Sequence, residues 1–437
     1  MQLLSTGSRR YPGPRSSAAR LRGRRAGILG TILAALVLVG PVPANAAAAV
    51  TSIIPVGPSP REVAFTPDGS KAYVTNWEAS TVSVIDVGSG SVTSTIPVGV
   101  SPLDVAVSPD GSIAYVTSGD SDKVSVIDVG SGTVTSTIAT GAAPFAVAFA
   151  PTGSIAYVTS GDSRSGTVSV IEVASSTMTS TIPVGPLPNA VAFAPDGSTA
   201  YVTNGQDSDM VSVIDVAAGA MTSTIPVGSS PTAVAFTPDG SAAYTANNEG
   251  DSVSVIDVES GTVSATIPVG WAPDSVAVAP DGSAAYVTNS AADTVSVIDV
   301  ASGAVTSTVQ VGSHPEGIGV SPDGSAVYVV NTFSNTVSVI TVHAAPLVFT
   351  AATPPTKANT RAAYNYSFAS TGAPAPTFHV SSGALPAGLS LDKATGVLSG
   401  TPTKAGKFTF KVTATNGLSP DAVTDRITIT VTKAKVR

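Results

Sequence analysis

One recurring tripeptide limits what this chain can become. Pro-Asp-Gly begins at Pro67, Pro109, Pro195, Pro238, Pro280 and Pro322, and Pro151-Thr152-Gly153 fills the remaining place. The intervals are 42, 42, 44, 43, 42 and 42 residues. Each unit carries the same four apolar stretches; in the first they are Glu62–Thr66, Ala72–Asn76, Thr81–Val87 and Val92–Val98. They are short, rich in Val, Ile, Thr and Tyr, and bounded by Gly, Pro, Ser or Asp, which is strand chemistry. Pro-Asp-Gly suits the hairpin between the first two: Pro presets φ, Asp bonds nearby amides, and Gly accepts positive φ. Four-stranded units of this length, repeated four to eight times, are propeller blades.

The count also predicts how the ring closes. A fourth-type segment, Thr51–Val56, precedes the first complete unit, while the seventh unit ends after its third stretch, Thr336–Val342. The N-terminal segment therefore supplies the missing strand of blade seven. Five of the seven fourth strands contain proline (Pro55, Pro97, Pro183, Pro226, Pro268), as befits an outer edge that must not pair with strangers. The predicted fold is all-β: a seven-bladed β-propeller over 47–343, a linker at 344–346, a small immunoglobulin-like β-sandwich over 347–432, and a basic tail at 433–437.

Ala72-Tyr-Val-Thr-Asn76 recurs at 200–204 and 285–289, with variants at 114–118, 156–160, 243–247 and 327–331. In these residues the chain resembles the YVTN family of β-propeller repeat proteins, a resemblance covering residues 50–343 and implying an exported or surface-layer protein. Ala384-Leu-Pro-Ala-Gly-Leu-Ser-Leu-Asp392, continuing through Gly396-Val-Leu-Ser-Gly-Thr-Pro402, resembles the immunoglobulin-like domains appended to bacterial surface proteins. The disulfide and buried Trp of antibody domains are absent, so the resemblance implies architecture alone.

Residues 1–46 read as a signal peptide. Seven arginines precede an apolar run, Ala26 to Gly40, and then Pro43-Ala44-Asn45-Ala46, a small-x-small cleavage site. The run is shorter than the roughly 20 residues of a membrane span, so no transmembrane segment is expected after cleavage and the mature chain is expected to be secreted or at the cell surface. With no cysteine, thiolate chemistry and lipoprotein anchoring are excluded.

Charge divides sharply. Residues 50–343 hold 4 Lys+Arg against 26 Asp+Glu, a net −22, whereas residues 344–437 hold 10 against 3, a net +7. The body repels nucleic acid; the tail domain could meet an anionic wall polymer.

Asp residues that recur in nearly every blade are structural, so a unique site should lie where blades differ. Trp271 enters blade six, His314 enters blade seven, Phe333 lies on a loop of blade seven and Trp77 on the matching loop of blade one. Blades six, seven and one are consecutive in a closed ring, and Glu62, Asp274 and Glu316 stand beside these residues. Aromatic faces with carboxylates suit a sugar or a peptide, an extracellular carbohydrate or protein ligand. No catalytic residue, metal ligand or cofactor is assigned. Loop carboxylates (Asp120, Asp122, Asp162, Asp207, Asp209, Glu249, Asp251, Asp293) are the only candidates for Ca²⁺, and they lack EF-hand spacing. The expected function is a non-catalytic binding scaffold. The alternative is a lactonase- or lyase-type enzyme acting at the channel mouth, for which His314 with Glu316 is the one acid–base candidate on the functional face.

Overall fold

The computed structural model describes residues 48–161, 165–205, 208–342, 347–370, 376–415 and 421–434. The leader with its cleavage point, the linker 344–346, Asp162, Asp207 and the end of the basic tail lie outside them. The chain is all-β, with no helix among the described residues.

Seven antiparallel four-stranded sheets follow one another. In blade one the order from inner to outer is Pro60–Phe65, Lys71–Asn76, Thr81–Asp86, Ser91–Pro97. Inner strands of adjacent blades contact each other around the whole ring, with the strand at Pro315–Val320 meeting that at Pro60–Phe65. Closure follows the strand count: Ala49–Pro55 pairs antiparallel with Thr336–Thr341. The pairing reproduces the geometry of the other blades in detail. In each blade one extra residue bulges from the outer strand, and its hydroxyl donates to a carbonyl of the third strand. Thr93 donates to Val84 in blade one, and Thr51 donates to Val339 in the closing blade. A bulge bends and twists its strand, so the N-terminal strand is shaped as blade seven's own would be.

The Tyr-Val-Thr-Asn motif explains how blades lock together. Its Tyr lies in the interface with the following blade: Tyr115 meets Phe149, Tyr157 meets Phe193, Tyr201 meets Phe236, and Tyr328 meets Phe65 across the closure. Its Thr bridges two blades. The Thr75 hydroxyl accepts from the Glu62 amide at 3.0 Å and donates to the Leu103 carbonyl of the next blade at 3.0 Å. Its Asn is fully buried, and in blade one Asn76 donates to Thr81 and Ser83. Where the motif lacks the bridging Thr, another hydroxyl takes over. Blade five has Ala246 there, and Thr232 bonds the Ala246 and Asp274 carbonyls. Blade seven has Val330, and Thr332 bonds the Pro60 carbonyl.

The C-terminal domain packs a larger sheet, ordered Lys357–Asn359, Ile427–Thr432, Gly406–Thr415, Thr377–Gly383, over a three-stranded sheet of Tyr364–Ser367, Val397–Gly400 and Leu389–Leu391. Phe368, Phe378, Leu398, Phe410, Val412 and Ile429 form its core. The edge strand Lys357–Asn359 runs parallel to Ile427–Thr432.

Candidate functional site

Every inner strand begins with a proline that follows a residue of positive φ: Ser59, Ser101, Ala143, Leu187, Ser230, Ala272 and His314. His314, at φ 55°, therefore holds a backbone position common to the whole ring, and only its side chain is special. Loop carboxylates hold this entry in place. Asp122, Asp209, Asp251 and Asp293 accept from the amides of Ala143, Ser230, Ala272 and His314, and Asn335 does the same for Ser59. Those four of the proposed Ca²⁺ candidates thus already serve backbone amides.

Two residues follow each proline at the same end of the inner strands, and the second of them packs between blades where it is Ala146, Ala190 or Ala233. In blade order they are Arg61-Glu62, Leu103-Asp104, Phe145-Ala146, Asn189-Ala190, Thr232-Ala233, Asp274-Ser275 and Glu316-Gly317. Charge is confined to blades six, seven, one and two.

Glu316 is the hub. One guanidinium nitrogen of Arg61 (Nη1) reaches both its oxygens, at 2.8 and 2.6 Å, and His314 Nε2 lies 3.3 Å from Oε1. The His314 ring stacks on Phe333, centroids 4.3 Å apart and planes 8° from parallel, and Arg61 sits over Trp77 at 5.4 Å. Glu62 turns back to accept from the Val63 amide. It fits because blade seven has glycine opposite: a Cβ on Gly317 would come within 2.7 Å of both the Glu62 Cα and a Glu62 carboxylate oxygen. Asp104 accepts from two amides, Val105 in its own blade and Val147 in the next, each at 2.7 Å.

These carboxylates keep some surface toward the channel yet are walled in by protein, and burial dominates their titration. It pushes Glu62 well above the ordinary range, reinforced by Asp104, Asp274 and Glu316 and opposed by the Val63 amide. It brings Asp104 up to about 7 against its two amide bonds. It also brings Asp274 up to about 7, aided by Glu316 and opposed by His314 and Arg61. His314 is raised, chiefly by its hydrogen bond to Glu316, with desolvation opposing. Strong perturbation concentrated in one cluster of side chains makes this the candidate site. Acids that titrate near neutrality can both donate and accept hydrogen bonds there.

Of the seven residues singled out from sequence, the structure gathers His314, Glu316 and Phe333 through direct contact. Trp77 joins through Arg61, and Glu62 and Asp274 through electrostatic coupling. Trp271 makes no contact with them and is 68% exposed. Sequence reading missed Arg61 and Asp104. Aligning the seven inner strands on their prolines would have found both, as charged exceptions at the second and third positions.

A family model described as "Lactonase, 7-bladed beta-propeller" matches residues 44–181. The first three blades are lactonase-like. That stretch carries Arg61, Glu62, Trp77 and Asp104; His314, Glu316, Asp274, Trp271 and Phe333 lie beyond it. A second model, "Putative Ig domain", matches residues 341–432. No curated protein matches the chain. Among solved structures, the hydrazine synthase of Kuenenia stuttgartiensis is 25% identical with a TM-score of 0.62, covering 69% of this chain and 99% of that one. This last likeness is one of fold.

Proposed function

We propose that this is an exported binding protein that takes a carbohydrate at the charged arc of its channel mouth. The observation that carries the reading is the arc itself. Carboxyls poised near neutrality lie beside an Arg–Glu–His chain, with the exposed rings of Phe333 and Trp271 on the rim. Sugar hydroxyls need donors and acceptors at once, and sugar faces need aromatic planes. The leader supports export, so the mature chain acts outside the cytoplasm, in the medium or at the cell surface. The basic C-terminal domain then serves as its contact with an anionic wall polymer. A glycan array probed with the mature chain tests the reading. Selective binding that is lost when both Trp77 and Trp271 become Ala supports it. Equal binding by the double variant, or selection of peptides in place of glycans, refutes it.

A second reading rests on one specific observation, the lactonase-type match over blades one to three. Here His314, oriented by Glu316, would take a proton from the water whose oxygen adds to a lactone carbonyl polarised by Arg61, and would return it to the ring oxygen as the acyl C–O bond breaks. Turnover of a lactone panel that disappears in His314→Ala would establish it; no turnover by the intact protein would dismiss it.

A further inference from the structure

The larger sheet of the C-terminal domain has one face in the core and one outside. Ile427, Ile429, Val431, Phe410 and Val412 fill the core. By the two-residue alternation of a strand, Thr428, Thr430, Thr432, Lys407, Thr409 and Lys411 occupy the other face. The register brings cations into line across it: Lys357 is beside Thr430, Thr430 is beside Lys407, and Lys411 is beside Ser382. Lys357 and Lys407 are exposed and Lys411 is half-buried. The four strands hold no Asp or Glu. Among the described residues none of these lysines makes an ion pair, and the domain forms no salt bridge at all.

We propose that this lysine–threonine face binds a phosphodiester-linked polymer of the cell wall. Strand spacing sets Lys357 and Lys407 about 10 Å apart at the backbone, and Lys407 and Lys411 about 13 Å apart along one strand. Flexible ammonium stems over that span can follow a repeating phosphate of no fixed plane, and threonine hydroxyls between them donate to phosphate oxygens. No Phe, Tyr or Trp points outward from the face, and His379 is the one ring on it among the described residues, so it offers little stacking for nucleic-acid bases. The net charge of residues 344–437, +7, complements such a polymer where the acidic propeller does not. The proposal rests on the export reading for its partner, but its test does not depend on export.

The mature chain, residues 47–437, is titrated with soluble poly(glycerol phosphate) at low and moderate salt. The wild type should bind, weakening as salt rises because counterions are released. Lys357→Gln/Lys407→Gln/Lys411→Gln should bind at least about tenfold more weakly, with a shallower salt slope. Arg361→Gln/Lys393→Gln/Lys404→Gln, an equal loss of charge outside the four strands, should lose less than about threefold. The single exposed change Lys407→Glu should alone cost about tenfold. Equal loss in the two triple variants, unchanged affinity in Lys407→Glu, or competition by duplex DNA as strong as by the polymer would each overturn the assignment. Cytoplasmic retention of the protein in its own cell would instead sink the export reading and leave this binding result standing.

Discussion

Blades three, four and five share strand order, turns and entry loops with blades six, seven, one and two, yet their channel-mouth positions carry no charge. Phe145-Ala146, Asn189-Ala190 and Thr232-Ala233 stand where the opposite arc has Asp274, Glu316, Arg61 and Glu62. Asp104 in blade two ends the charged arc by bonding the Val147 amide of blade three. Because the backbone is common to both arcs, the quiet one acts as an internal control. It shows what closing a ring uses, which is a bridging hydroxyl, a buried Asn or Ser at the end of the second strand and the proline entry. The clustered charge is then an addition that folding did not demand, and it costs stability to keep.

The largest effect expected from breaking this contrast is at Glu316. Glu316→Gln removes the partner of both Arg61 and His314, so ligand binding should fall about 100-fold, with a stability loss of about 2 kcal/mol. Asn189→Ala, across the mouth in the quiet arc, should change binding less than about threefold. Isothermal titration and chemical denaturation of the pair measure both.

Next is Gly317. The quiet arc already tolerates alanine at this place in Ala146, Ala190 and Ala233. In blade seven a Cβ would lie 2.5 Å from the Arg61 carbonyl. Gly317→Ala should therefore cost about 1–3 kcal/mol, as overpacking does, and weaken binding by displacing Glu62. A melting temperature and affinity equal to wild type would mean that Glu62 is not held as described.

The pH dependence comes third. Asp104 and Asp274 keep their protons up to about 7 in the folded chain but lose them near 3.9 when unfolded. Between those values the folded state binds more protons, so their contribution to stability falls as pH rises from about 4 to 7. His314, raised in the fold, acts in the same direction: its contribution is full below about 6.5 and is lost as pH climbs through its folded value. The turn aspartates oppose them. Asp68, held down to about 2 by bonds from Thr66 and Ser70, loses its contribution only as pH drops below about 4. Urea denaturation across pH 4–8 should show a downward slope that flattens in Asp104→Asn/Asp274→Asn and persists in Asn189→Ala.

The smallest effect concerns the rim. Trp77→Ala removes the ring under Arg61 and should weaken binding about five- to tenfold through lost cation–π and stacking contact. Trp271→Ala, whose ring has no partner among the site residues, should cost less than Trp77→Ala. The reverse order would shift the binding surface toward blade six.

The ring was legible in sequence because its period is explicit. Pro-Asp-Gly fixed the hairpins, and the unmatched Thr51–Val56 fixed the closure. The rim aromatics were legible as departures from the repeat. Arg61 and Asp104 carry no loop or motif signal, because they sit inside strands where most blades place neutral side chains. No local pattern could tell that Glu316 would bind Arg61, 255 residues away; that contact exists only because closure sets the last blade against the first. In the C-terminal domain alternation gave the strands, but the parallel pairing of Lys357–Asn359 had no signal in a three-residue element.

The most direct test is a structure of the mature chain with the oligosaccharide that the array selects. The account predicts a sugar in the mouth between blades six and one, with a hydroxyl bonded to Asp274 or Glu62 and a ring face near Trp77 or Phe333. A sugar held at the quiet arc, at the opposite end of the channel or on the C-terminal domain would contradict it.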